Sequence, residues 1–498
     1  MFSEWLFLPQ AAAQYLADPM VWVFLLLGTV CGFFVGVMPG LGPTMGMALS
    51  LGIIFKLEAG QGMALLIGIF VAAIGSGGIT ASLLNIPGTA AAAATCMDGY
   101  ALTRQGRSRE AVGYSVVSSV IGTIAATVLI FLIQPFITAI ALKFGDWETF
   151  LFCLFGLLVC GSLSGESKTR GWIAALGGCL VSMCGADGVQ SVLRFTFGRP
   201  ELLSGVDSVV AMLGLFGIGE VLYTLSRPGH PRMPEKTGFP IIRAATFLKN
   251  KFNMLRSVLA GMWIGFIPGI GESAACWFSY DLARRASKKK ETFGKGAEEG
   301  IIAAETANNA SSVGALIPAL ALGIPGSSTV AMFLSAMYVM NLRPGPTLLI
   351  ENPGFLCGLC LLLIVAALAL GAVAFICSPF AIKLLSVPEN LLMPFIAVLC
   401  AVGAYGTTNT PFALVQLAVF GVLGYLMKRF HYPIAPFVLG LLVGRTADTA
   451  LRRALMQYAG DLVGMVTRPF GLVIAVVLVA LFLLGLKSDK ASKEAQRG

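Results

Sequence analysis

Apolar residues run almost unbroken through Val21 to Met38, Val112 to Leu132, Phe355 to Cys377, Phe412 to Leu426 and Phe470 to Leu486. Each run approaches the roughly 20 residues that an α-helix needs to cross a hydrocarbon core. Shorter apolar stretches between polar loops raise the expectation to about 12 spans. In hydrocarbon a helix satisfies all its backbone groups internally, so the pattern predicts an all-α integral membrane protein. Glu4 and Asp18 precede the first run, where a signal peptide would be basic, and no A-x-A site follows, so that run is expected to be a span.

Within this pattern one unit recurs. Gly32-x-x-x-Gly36-x-x-Pro39-Gly40-x-Gly42 returns as Gly261-x-x-x-Gly265-x-x-Pro268-Gly269-x-Gly271, 229 positions later. A second block, Asn85-Ile86-Pro87-Gly88, returns as Gly323-Ile324-Pro325-Gly326 at an offset of 238, and Tyr100 matches Tyr338 at that same offset. The loop after the first block carries only Lys56 and Glu58 in copy one, against Arg284, Arg285, Lys288, Lys289, Lys290 and Lys295 in copy two. After the second block the bias reverses, with Arg104, Arg107 and Arg109 against Arg343 alone. Basic loops stay on the cytoplasmic side, so the two copies are expected to be inverted-topology repeats.

The expected organisation is a first half with additional spans (1–225), a polar basic linker or surface segment (226–256), a second half (257–378), further C-terminal spans (379–486) and a polar cytoplasmic tail (487–498). Composition agrees with the bilayer reading: 57% of the 498 residues are hydrophobic and 12% charged, about half the charged share of a soluble domain. The net charge of +9 sits in short blocks between apolar runs with no aromatic interleaving, which argues against a nucleic-acid partner and for the lipid bilayer. The cysteines lie mostly within apolar runs, and Cys357-x-x-Cys360 has no further ligand at metal spacing, so packing is the expected role.

Pro and Gly in mid-span unwind a helix and expose N–H and C=O groups, which hydrocarbon tolerates only around a polar cavity. N–H groups at a half-helix start suit anions, and carbonyl and amide oxygens suit a cation. Broken or re-entrant helices are therefore expected at Pro39, Gly40 and Gly42, at Asn85, Pro87 and Gly88, at Pro268, Gly269 and Gly271, and at Pro325 and Gly326. With the hydroxyls of Thr44, Thr89, Ser273, Ser327 and Ser328 they form the candidate substrate site for a carboxylate. Asn308, Asn309, Ser311, Ser312 and Glu272 form the candidate cation site, for Na+ and no other metal. Small residues at Gly32, Gly36, Gly261 and Gly265 also suit close helix packing. Among ionisable groups, Asp187 and Arg194 stand in apolar surroundings, while Asp98 and Glu305 fit either an interior or an interfacial position.

Enzymatic arrangements are missing: the two histidines, His230 and His431, sit in no motif, and Gly40-Leu41-Gly42 is not followed by Gly-Lys-Ser/Thr. A secondary transporter is expected, with no cofactor beyond a coupling ion, Na+ or H+. The alternative is a passive channel or membrane assembly protein that uses the Pro-Gly breaks as gating elements.

The ordered blocks, with Asp98-Gly99-Tyr100 after the first Ile-Pro-Gly and Glu305-Thr306-Ala307-Asn308-Asn309 before the second, resemble the large membrane subunit of the tripartite tricarboxylate transporters (TctA-like) over about residues 20 to 450. The resemblance implies a multi-pass protein of the bacterial inner membrane. It also implies a small membrane subunit of about four spans and a periplasmic solute-binding protein that delivers citrate or another small carboxylate for symport with a cation.

Overall fold

The computed structural model describes all residues except 1–6, 39–40, 86, 142–144, 163–167, 227–237, 268–270, 324, 346–347, 349–350, 353, 386–388, 460, 477 and 479–498. In chain order the helices are α1 (Leu8–Leu16), α2 (Pro19–Val37), α3 (Gly42–Ile54), α4 (Ala59–Leu84), α5 (Ala93–Arg104), α6 (Ser108–Ala141), α7 (Asp146–Ser162) and α8 (Lys168–Ser182). There follow α9 (Ser208–Leu225), α10 (Ala244–Lys249), α11 (Lys251–Phe266), α12 (Gly271–Ala286), α13 (Glu298–Leu322), α14 (Ser328–Val339) and α15 (Phe355–Leu385). The last are α16 (Glu389–Thr408), α17 (Phe412–Arg429), α18 (Ile434–Tyr458) and α19 (Leu462–Val466). The β structure among the described residues is one antiparallel pair, β1 (Gly185–Ala186) and β2 (Leu193–Arg194).

Among the described residues, six helices are long and apolar enough to cross a membrane: α2, α4, α6 over Ser108–Phe136, α9, α15 over Phe355–Phe380 and α17. The expected 12 spans are not reached by that criterion; α3, α14 and Met393–Gly406 of α16 are apolar but shorter. Outward faces are apolar too, with Phe252 74% and Trp263 71% exposed on α11, which hydrocarbon accommodates and water does not. The apolar run from Phe470 to Leu486 lies largely outside the described residues, as does the polar tail. Of the basic linker, 238–256 is described, and Lys251–Arg256 forms the first turns of α11.

The chain divides into two compact units, 1–139 with 209–429, and 140–208 with 430–498. The first unit contains the repeat. In copy one α2 runs parallel to α4, because Gly28, Gly32 and Gly36 meet Leu65, Ile69 and Ala73 in the same order. A Cβ on Gly32 would stand 2.7 Å from the Ile69 Cα, so only glycine admits this approach. In copy two α11 and α13 repeat the contact, with Gly261 on Ala307 and Gly265 on Ser311, the partners of Ile69 and Ala73 at the 238 offset. Helix α3 returns alongside α2, with Gly46 facing Val35 and Ile69. Both long central helices end in a left-handed residue, Asn85 (φ 59°) after α4 and Gly323 (φ 72°) after α13. That conformation stops a helix and suits Asn and Gly. From Met63 to Leu84, and from Gly300 to Ala321, every residue is buried.

An ion cluster ties copy one to copy two within this unit. Arg107 bonds Glu110 (2.5 Å) and Glu298 (2.6 Å), and Arg243 bonds Glu110 at 2.8 Å. The hydrogen-bonded Glu110 carboxylate, with that of Glu298, raises Arg107 above its ordinary value.

In the second unit α8 and α18 cross through small residues, Ala175 against Gly440 and Cys179 against Gly444. The β1–β2 hairpin carries Asp187 and Arg194. Asp187 pairs with Arg194 (3.2 Å) and Arg452 (3.0 Å), and Asp448 with the same two arginines (2.9 and 3.1 Å). The N–H of Val189, and then Arg452 and Arg194, hold the Asp187 carboxyl below the usual carboxylate range.

Candidate functional site

Each Ile-Pro-Gly block folds back against the Gly-x-x-x-Gly helix of its own copy. Gly88 approaches the Gly36 carbonyl and donates to Gly77 O at 3.3 Å, while a Cβ on Gly326 would lie 2.9 Å from the Gly265 carbonyl. Any larger residue at either position would push the loop off the helix. The next residue then caps the following turn: Thr89 Oγ1 accepts from Ala92 N, and Ser327 Oγ accepts from Val330 N, both at 3.3 Å and both related by the 238 offset. Pro325 is buried and Pro87 partly so.

The two copies meet at these loops. Thr44, in the first turn of α3, lies 3.5 Å from Thr329 in the first turn of α14. Ser327 donates at 2.7 Å to Glu272 in the first turn of α12, and α12 in turn packs on the short 3-10 turn Ala90–Ala92 that leads into α5. An open ring of contacts thus runs from α3 to α14 to α12 and on to the turn before α5, with α3, α14 and α12 joined through their first turns. Helix N-termini carry partial positive charge and unpaired N–H groups, so the ring suits an anion, with Glu272 as the one acidic side chain in it. Glu272, Ser273, Ser327 and Ser328 are all half-buried. Gly42 adopts φ 61° with open space on its side-chain face. Pro39, Gly40, Pro268 and Gly269 lie outside the described residues, and the side-chain surroundings of Gly271 do as well.

The candidate cation residues divide differently. Ser311 and Ser312 both donate to the Asn308 carbonyl within α13, at 2.9 and 3.0 Å, and Asn309 donates to the Glu305 carbonyl at 3.0 Å. All four residues from Asn308 to Ser312 with polar side chains are buried, and among the described residues no hydrogen bond joins them to Glu272. The Asn308 amide lies against the Glu305 carboxyl one turn earlier in the helix.

Five further hydrogen bonds cross between the copies, to Glu305 and Asp98, from donors that did not stand out in the sequence. Thr95 donates to Glu305 Oε1 at 2.5 Å, and Ser119 donates to Oε2 at 3.2 Å. Asp98 accepts from Tyr280 (2.8 Å) and from the N–H groups of Gly296 (2.9 Å) and Ala297 (2.8 Å), so it closes the start of α13. Asp98 and Glu305 are both buried within the protein, at 0% exposure. The signal available for Ser119 was a hydroxyl at every fourth position of an apolar run, Ser115, Ser119, Thr123 and Thr127, which marks one face of α6.

A family model described as the tripartite tricarboxylate transporter TctA family matches residues 22–439. The chain is 32% identical over 475 residues, 95% of its own length and 94% of the relative's, to an uncharacterized 52.8 kDa protein in the TAR-I ttuC' 3' region of Agrobacterium vitis. It is also 32% identical over 235 residues to an uncharacterized protein in the TAR-II ttuC' 3' region of the same organism, covering 47% of this chain and 97% of that one. No solved structure matches it significantly.

Proposed function

The chain belongs to the tripartite tricarboxylate transporter TctA family, the large membrane subunits of three-part transporters, and on that premise we propose that it imports a small carboxylate across the bacterial inner membrane against its gradient. A periplasmic binding protein delivers the carboxylate, a small membrane subunit completes the complex, and Na+ or H+ flow supplies the energy. The observation that carries this reading is the set of contacts among Thr44, Thr329, Ser327 and Glu272 at the starts of three helices, α3, α14 and α12.

In this reading free N–H groups at the starts of α3, α12, α14 and α5 take the carboxylate oxygens, and the Thr44, Thr89, Ser273, Ser327 and Ser328 hydroxyls donate to those that remain. An ionised Glu272 beside a bound carboxylate is repulsive, so a cation at Glu272 makes occupancy of the ring depend on the coupling ion. The Ser311 and Ser312 hydroxyls and the Asn309 NH2 group are engaged with their own helix, which leaves the amide oxygens of Asn308 and Asn309 as the cation donors of this set.

Inversion of the copies is part of the proposal, because alternating access is commonly built from two opposed halves. It is supported where the equivalent helices meet: Gly75 of α4 faces Asn309 of α13, and Gly78 faces Glu305, so one helix rises as the other falls.

The test is reconstitution with the small subunit and the binding protein. Labelled carboxylate should accumulate above its outside concentration, and an ionophore should abolish that accumulation. Equilibration that never exceeds the outside level and ignores the ionophore would mean a passive channel. Within the active complex, Ser327→Ala and Asn309→Ala should each weaken uptake at unchanged protein abundance; full activity of both removes the site assignment.

A further inference from the structure

Helix α6 begins at the end of a candidate span, Ser108–Phe136, and its sequence sets Arg109, Gly113, Val116, Val117 and Val120 at the three- and four-residue spacing of one helix face. The irregular segment 238–243 lies across the start of that face. Ile241 N donates to the Arg109 carbonyl at 2.9 Å, Arg109 Nε donates to the Phe239 carbonyl at 2.8 Å, and a Cβ on Gly113 would overlap the Ile241 carbonyl. Helix α15 forms the other side and runs antiparallel to α6. Its Phe375 stacks on Phe239 near the start of α6, while Gly371 meets Val120 further along.

Between these three elements lies a groove of about 450 Å³, lined chiefly by Val116, Val117, Val120, Leu368, Phe375 and Ile376. All six are apolar, and Leu368 and Ile376 are 58% and 59% exposed. The groove follows α6 from Gly113 to Val120, and Arg109 stands one turn before it. From Arg109 to Val120 the helix rises about 16 Å, close to the roughly 15 Å of hydrocarbon in a single leaflet. A helix crossing the whole membrane would need a face about twice as long. The length therefore suits an acyl chain rather than a span of a second copy or of another subunit.

The rim supplies the complement to a headgroup. Arg107 bonds Glu110 and Glu298, and Arg243 bonds Glu110, so three arginines meet two carboxylates at this end of α6. Among the described residues no acidic side chain pairs with Arg109, and the excess positive charge rests there. Its Nε is held by the Phe239 carbonyl, which leaves the two terminal nitrogens of this exposed guanidinium for a phosphate. Arg243, 54% exposed and next to the groove residue Ile242, adds a second cation at the same edge.

We propose that this groove binds one anionic phospholipid, with an acyl chain between α6 and α15 and the phosphate on Arg109. A zwitterionic lipid carries an ammonium beside the same phosphate and is held less well, because basic side chains at the membrane surface favour headgroups of net negative charge. The site does not depend on transport of a carboxylate.

The test is native mass spectrometry of the delipidated full-length protein, titrated with phosphatidylglycerol or with phosphatidylcholine carrying the same acyl chains. The wild type should retain phosphatidylglycerol about fivefold better, the preference that one basic side chain near the surface confers. Arg109→Gln, which keeps a donor for the Phe239 carbonyl, should abolish the preference and leave phosphatidylcholine retention unchanged. Ala372→Phe, which places a ring in the groove, should lower retention of both lipids and answers independently of the rim. Excess glycerol phosphate, which has the anion without the acyl chain, should displace nothing. No headgroup preference in the wild type, a preference that survives Arg109→Gln, unchanged retention in Ala372→Phe, or displacement by glycerol phosphate would overturn the proposal. So would an Ala372→Phe variant that keeps its lipid but no longer associates with a second copy or with the small subunit, because the groove would then be a protein interface.

Discussion

Ser327 does two jobs, of which its counterpart shares only the first. It caps α14 through Val330 N and donates to Glu272, whereas Thr89 caps the equivalent turn through Ala92 N, and the position matching Glu272 in copy one is Pro43, which offers no side-chain acceptor. Loss of an N-cap hydroxyl costs about 1 kcal/mol. Ser327→Ala and Thr89→Ala should therefore lower the melting temperature in detergent by similar amounts. Ser327→Ala should in addition raise KM for uptake several-fold, because it also releases the one acidic side chain of the ring, and Thr89→Ala should raise it less. Equal KM values in the two variants would reduce Ser327 to its capping role. The glycines behind these loops allow less latitude: a methyl on Gly265 would meet the backbone of Ser311, so Gly265→Ala is expected to lower abundance in the membrane, measured by fluorescence of a fused reporter.

Helices α2 to α5 and α11 to α14 are built to one plan, and the plan makes a prediction about sidedness. Single cysteines placed in the Lys56–Glu58 loop and in the Lys288–Lys290 loop should react with a membrane-impermeant thiol reagent from opposite faces of right-side-out vesicles. Labelling of both from one face would rule out inversion. Much of this plan was legible in the sequence, because close backbone approach demands glycine at fixed spacing and a left-handed stop favours Asn or Gly, so Gly32, Gly36, Asn85, Gly261, Gly265 and Gly323 record the geometry directly. Helix α13 was less legible. Glu305, Thr306, Asn308, Asn309, Ser311 and Ser312 crowd two turns of it, so it does not read as an apolar span although every residue from Gly300 to Ala321 is buried. Nor could hydropathy find the partners of Glu305, since Thr95 and Ser119 lie 210 and 186 positions away and only the packing of α4, α5 and α6 on α13 unites them. The paired central helices also show where length alone misses apolar helices: α3 and α14 are apolar but only 13 and 12 residues long.

For the whole molecule, the division into two compact units predicts two separable responses to acid. In the unit formed by 140–208 and 430–498, the hairpin β1–β2 is held to α18 by Asp187 and Asp448 with Arg194 and Arg452. Asp187 titrates below its ordinary value of 3.8, chiefly through the Val189 N–H and then the two arginines. A carboxylate with a depressed folded-state value contributes stability that is complete above the unfolded value and is lost as pH falls through the folded one. The β1–β2 hairpin amides should therefore stay protected from hydrogen exchange at neutral pH and open progressively below about pH 4. Asp187→Asn removes the charge at every pH, so its hairpin should exchange quickly already at neutral pH and show a smaller acid-dependent step. Opening of that hairpin is local, and the amides of α4 and α13, buried along nearly their whole length in the other unit, should keep their protection in this variant. Exchange mass spectrometry resolves both regions in one experiment. Parallel loss of protection in the hairpin and in α4 would mean that the chain opens as a single cooperative body, and would remove the basis for treating the transport-site unit as folding on its own terms.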